Sequence, residues 1–245
     1  MNQINARKPR RADCDRGAIA AFAQRAAERK AERALRHESS LLPNVALNPR
    51  GRYGAACRAR FDGRSLREAA EYVRDCDTGP GQTPDDFEGL LANYRGTIGA
   101  KQALLAVLAA EIGRKDIQLI VACCEMPLPD MICAPLESMS HYPRTLPLAV
   151  CWLRYRGRRL QIVEPSHASL QTVEPVTEVV VRPEQLAGER VRLYTTFAAD
   201  WCRALETSPV EFARLRGALL TLSAGTSVFE DLMGHALSPT YAPSL

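Results

Sequence analysis

Residues 93–113 read NYRGTIGAKQALLAVLAAEIG, and the fold follows from how this stretch is divided. The polar run ending in Arg95-Gly96-Thr97 is a loop by composition, and it opens directly into a helix. Leu104, Leu105, Leu108 and Ile112 recur at helical spacing, which predicts an amphipathic helix with one buried stripe. Gly113 ends it, because glycine closes a helix C-terminus in the left-handed conformation without steric cost. A polar loop feeding a buried helix is also where thiol enzymes hold their nucleophile. Unpaired N–H groups and the macrodipole both favour a thiolate there.

Upstream, Ser65-Leu66-Arg67-Glu68 is a capping box. The helix it opens buries Leu66, Ala69, Ala70 and Val73 and stops before the turn-rich run Asp77-Thr78-Gly79-Pro80-Gly81. A short segment from Pro84 to Leu91 leads through Phe87, Leu90 and Leu91 into the central stretch. Downstream, Ile117 to Cys124 is apolar almost throughout and predicts a strand buried on both faces. Met126 to Leu146 holds four prolines and no periodicity, the signature of a lid or binding loop. Met131, Ile132, Met139 and Tyr142 give that loop an apolar underside.

Leu148 to Tyr155 and Arg158 to Val163 are then two strands of a hairpin turning at Arg156-Gly157. Glu164 to Glu178 reads as loop, and Pro183-Glu184-Gln185 as the start of a helical turn. Leu193, Phe197, Trp201 and Leu205 mark a helix with one apolar row. Ser208-Pro209-Val210-Glu211 announces a last helix striped by Leu215, Leu219 and Leu222.

The 245 residues divide into a basic N-terminal arm and linker (1–59), a core (60–206) and a C-terminal helix and tail (207–245). The arm carries ten Lys and Arg between Arg7 and Arg36, and its helical part, 16–36, has a thin apolar face of Ile19, Phe22 and Leu35. Phe22 is the one aromatic residue among those charges, which argues against nucleic acid and for a solvated basic helix. Leu41 to Gly54, interrupted by Pro43, Pro49 and Gly51, reads as linker. No apolar run approaches the roughly 20 residues that span a bilayer, and no apolar stretch follows the first basic residues, so a secretion signal is not expected. The eight cysteines form no CxxC pair and are expected as reduced thiols in the cytoplasm. Asp85-Asp86 suits a helix N-terminus better than a metal site, so no metal or cofactor is expected.

Gly96-Thr97, Lys101 and Ala103-Leu104-Leu105 resemble the nucleophile helix of bacterial transglutaminase-like proteins. The likeness extends in order through Glu125-Met126, Leu146-Pro147, Ala149, Cys151, Leu153, Pro183-Glu184-Gln185 and the helix from Tyr194 to Trp201. It covers about 61–205. The resemblance implies an α+β fold with a papain/transglutaminase-like core, a helix packed on an antiparallel sheet, here with added N- and C-terminal helices. It also implies a Cys-His-Asp triad, in which a thiolate attacks an acyl group, the histidine moves the proton and the aspartate orients the imidazole.

At the three triad positions this chain has Ile98, Val150 and Gln161, none of which can attack or carry a proton. Burial of the two apolar replacements stabilises by roughly 1.5–3 kcal/mol each. Thr97, Lys101, Glu125, Cys123, Cys124, Cys151 and His141 are the expected neighbours of the cleft, with His167 in a further loop. Each has a plainer reading: buried cysteines are ordinarily inert, and loop histidines ordinarily exposed. The implied function is that of a pseudoenzyme binding a peptide, acyl or amine ligand or a partner protein. Its terminal helices suit a partner or homodimer contact. The alternative is a repurposed enzyme that forms or cleaves an amide in bacterial specialised metabolism with a new catalytic pair. An open pocket at Ile98, under the 126–146 lid, is the expectation for a binder.

Overall fold

The computed structural model describes residues 38–51, 54–79, 87–127, 145–162 and 174–206, together with Ser208, Val210 and Phe212. Along the chain run α1 (Gly54–Phe61), α2 (Leu66–Asp75), β1 (Asp77–Thr78), α3 (Phe87–Asn93), β2 (Arg95–Gly96) and α4 (Ile98–Glu111). Then come β3 (Ile117–Pro127), β4 (Thr145–Tyr155), β5 (Arg158–Leu160), β6 (Pro175–Val181), a 3₁₀ turn (Pro183–Gln185) and α5 (Leu186–Ala204). The fold is α+β: β5-β4-β3-β6 form one antiparallel sheet, and β1 and β2 form a separate parallel pair.

The central helix α4 begins and ends for the reasons its sequence gives. Thr97 is extended, and its hydroxyl accepts the Ala100 N–H at 2.9 Å. At the other end Gly113 has φ +76°, with its N–H on Ala110 O at 3.0 Å and the Arg114 N–H on Ala109 O at 2.9 Å. That pair of bonds is a Schellman closure. The expected single stripe is corrected, because every residue from Ile98 to Ala109 is buried, including Lys101 and Gln102. Alanines at 100, 103, 106 and 109 let neighbouring elements approach on the sides that the leucines leave. α2 and α3 pack on it from one direction, and β3 and β4 from another.

Helix α2 follows its capping box: Ser65 Oγ accepts the Glu68 N–H while the Glu68 carboxylate accepts the Ser65 N–H. It buries Leu66, Ala69, Ala70 and Val73. The stretch 41–54, expected as linker, instead contributes Leu42 and Leu47 to the core. It is stitched down by an Ala46–Ser65 bridge and by Arg67 Nε donating to Leu42 O at 2.5 Å. It is thus a docked strap.

β3 and β4 pair over eleven residues each, from Ile117↔Tyr155 to Pro127↔Thr145. Both reach further than the sequence suggested, into the ends of the 126–146 stretch. Residues 128–144, with His141 and the four apolar residues of the expected lid, lie outside the described residues. Arg156 (φ 50°) and Gly157 (φ 73°) make the two-residue turn into β5. β5 ends at Leu160, so Gln161 sits just past the strand and not within it.

The largest correction concerns 164–178. Its second part is strand, since Pro175–Val181 pairs antiparallel with β3 from Leu119↔Val181 to Cys124↔Pro175, through an irregularity at Cys123/Cys124. Val176, Val179, Val180 and Val181 favour an extended chain. The glutamates at 174 and 178 gave the stretch a loop-like composition. In α5, Leu193 and Trp201 are buried as expected, but Leu205 is exposed, and Arg190 lies in the buried row instead. The arm helix 16–36 and His167 lie outside the described residues, as does most of the last helix. Of that helix, Phe212 is buried against Trp201, ring centroids 5.5 Å apart.

Candidate functional site

Ile98 occupies the first helical position after the Thr97 cap and is 3% exposed. The glycine before the cap has a steric reason. A Cβ at Gly96 would stand 2.7 Å from a Leu90 methyl, so only glycine lets β2 run under α3. Val150 is 2% exposed in the middle of β4, and Gln161 is 1% exposed beyond β5. All three positions are interior, so the expected opening at Ile98 is absent: its side chain is enclosed.

Bonds from their neighbours tie these positions to one another. A Cβ on Gly99 would be 3.5 Å from the Arg190 guanidinium, and Arg190 Nε donates to Ala149 O at 3.3 Å. Arg190 therefore links the first turn of α4 to the residue preceding Val150. One turn on from Ile98, Gln102 Nε2 donates to Ile162 O at 2.9 Å, which ties α4 to the residue following Gln161. The register separates the strand residues. Val150 shares a sheet face with Ala122 and Trp152, while Cys151 shares the other with Val121 and Leu153. Arg159, opposite Arg154, stacks on Trp152 at 3.9 Å and donates to Gln161 Oε1 at 3.1 Å.

The polar groups here are engaged in structure. Lys101 is fully buried, and its ammonium donates to Cys76 O at 2.5 Å and Thr78 Oγ1 at 2.8 Å. It thus fastens the C-terminal end of α2, where a cation is favoured, to β1. The Gln161 N–H donates to the Glu38 carboxylate at 2.6 Å, and burial raises the Glu38 pKa despite that bond and the Arg159 charge. Among the described residues, Gln102 Oε1 and Gln161 Nε2 are buried without a partner.

The thiols among the described residues are poor nucleophiles where they sit. Cys123 and Cys124 are fully buried, pushed up to about 12 and about 11 by desolvation, which the charges of Arg190 and Arg159 only partly oppose. Burial likewise pushes Cys57 and Cys76 up to about 11. Cys151 is 2% exposed. A thiolate is the attacking species, and these environments disfavour it. Glu125, expected beside the cleft, is exposed and accepts from Thr145 Oγ1 at 2.8 Å. Among the described residues no cluster of three His, Cys, Asp or Glu is placed to hold a metal, and no helix is long and apolar enough to cross a membrane.

Sequence reasoning missed Arg190 and Gln102. Arg190 was legible as a charge within the row Leu186, Arg190, Leu193, Tyr194. No protein-family model, curated protein or solved structure matches this chain.

Proposed function

We propose that this chain is a catalytically degenerate, transglutaminase-like protein with a papain-like core, which binds a partner and does not catalyse acyl transfer. The observation that supports this is the state of its thiols. The residue after the Thr97 cap is an enclosed isoleucine, and the thiols of Cys57, Cys76, Cys123 and Cys124 are all driven toward the neutral form by burial. Covalent catalysis needs an activated nucleophile beside a base, and Ile98 and Val150 supply neither. Because Ile98 is enclosed, a peptide, acyl or amine ligand at the old site would have to displace packed side chains. A protein or other macromolecule docking on the outer surface fits the geometry better.

The test uses the purified full chain with acyl-donor peptides and small amines, read by intact mass and amine incorporation. The expected result is no adduct and no thiol-dependent transamidation. A stoichiometric acyl adduct on Cys123, Cys124 or Cys151 would overturn the reading and favour a repurposed amide-forming or amide-cleaving enzyme.

A further inference from the structure

Charge is unevenly placed along this chain. Residues 1–64 hold fifteen Lys and Arg against six Asp and Glu, a net +9, while seventeen against twenty-two leave the rest at −5. The arm, read above as a solvated helix, carries +6 of that excess in residues 1–37, and residues 38–64 carry five arginines against Glu38 and Asp62. Within 50–67 stand six arginines, at 50, 52, 58, 60, 64 and 67, and a single acid, Asp62.

The fold gathers the described members of this set. Arg58 donates to Pro49 O at 3.4 Å, which sets Arg50 beside α1. The Leu47 N–H donates to Arg64 O at 2.7 Å, holding the strap against the α1–α2 connection. Arg50, Arg58, Arg60 and Arg64 are exposed, and no ion pair engages them among the described residues. Of the nearby acids, Glu68 is held in the Ser65 capping box and Asp75 pairs with Arg74, while Asp62 stands within the set itself.

Aromatic rings adjoin these charges. The Arg60 guanidinium lies 5.1 Å from the centre of the Tyr72 ring, which meets Tyr94 edge-on at 5.1 Å. Tyr94 is 41% exposed and held at φ 54°, a conformation that non-glycine residues rarely take. The Tyr94 ring thus stands at the surface against Tyr72, on whose ring the Arg60 guanidinium lies. Asp75 and Asp77 bear on Tyr94 electrostatically and bound the basic area on that side.

We infer that this face binds single-stranded nucleic acid, with phosphates on Arg50, Arg58 and Arg64 and a base against Tyr94. Guanidinium forks suit phosphate oxygens, and a fixed aromatic ring beside them suits an unstacked base. An acidic peptide would use the arginines and leave the ring idle. The inference does not depend on how the interior around Ile98 is read.

The experiment is fluorescence anisotropy of a labelled short oligothymidylate with the full chain across a salt series. Wild type should bind with an affinity that falls as salt rises. Replacing Arg58, Arg60 and Arg64 together by Gln should weaken binding by about tenfold or more and lower the salt slope by about two. The corresponding Lys triple should keep the slope, and it serves as the folding control together with thermal melts of both variants. Tyr94→Asn, which tolerates the same backbone, should weaken binding with the slope unchanged. Arg192→Gln with Arg203→Gln should change nothing. Unaltered affinity in the Gln triple would assign any binding to residues 1–37 and overturn the proposal. Competition by polyglutamate equal to that of unlabelled oligonucleotide, or an inert Tyr94→Asn, would instead mark a surface for acidic protein.

Discussion

The enclosed end of α4 and the arginine face are both rich in polar side chains and use them in opposite ways. Around Ile98 the cations are sunk into backbone carbonyls: Lys101 on Cys76 O, and Arg190 on Ala149 O. On the α1–α2 face, Arg58, Arg60 and Arg64 are exposed, and among the described residues no carboxylate pairs with them. The difference follows from burial. A buried charge must be bonded or it costs several kcal/mol, whereas water solvates an exposed one. Residue type alone therefore does not mark a site; what matters is whether its bonding capacity is already used inside the protein.

The contrast can be broken first at Ile98. If the interior is core, Ile98→Ala loses about 2–5 kcal/mol in urea unfolding, and added peptides or amines do not restore it. A loss well under that, together with a ligand-dependent rise in melting temperature, would mean that a pocket persists there. Next in size, Lys101→Met keeps the volume but leaves Cys76 O without that donor. It should cost about 1–3 kcal/mol, the penalty for an unmade buried bond. A neutral result in the same unfolding measurement would show that the ammonium is no fastening.

The smallest expected effect is at Glu38, which sits between the two regions at the head of the strap. Its folded-state pKa is raised by burial, so the stability it contributes is fully present below its ordinary value of 4.5. That stability is lost as pH rises through the raised value. Glu38→Gln keeps an acceptor for the Gln161 N–H and should match or exceed wild type at neutral pH, by at most about 1 kcal/mol. The difference should close as pH falls toward the ordinary carboxylate range. A variant clearly less stable at neutral pH would show that the charge itself is stabilising.

Much of this fold was legible because local rules and tertiary packing agree. Ser65–Glu68 and Thr97 with Gly113 announce helix ends through bonds made within one turn, and Arg156-Gly157 announces a hairpin through its backbone conformation. β6 was hidden because an edge strand with one exposed side carries glutamate and threonine among its valines. Only pairing with β3 decides its state. The expected opening at Ile98 failed for a related reason: enclosure is set by every element packed around a residue, and periodicity within one helix does not report it.

The sequence by itself determined where α2 and α4 begin and end, that Ile98, Val150 and Gln161 cannot form a nucleophile and base, and that positive charge gathers in the first quarter of the chain. Those are properties of residue chemistry and of contacts a few residues apart. Tertiary structure alone decided that Lys101, Gln102 and Arg190 are spent on interior carbonyls, and that Arg60 lies on Tyr72, whose ring meets Tyr94. These juxtapositions join residues distant along the chain, and closing such loops leaves no local mark in sequence.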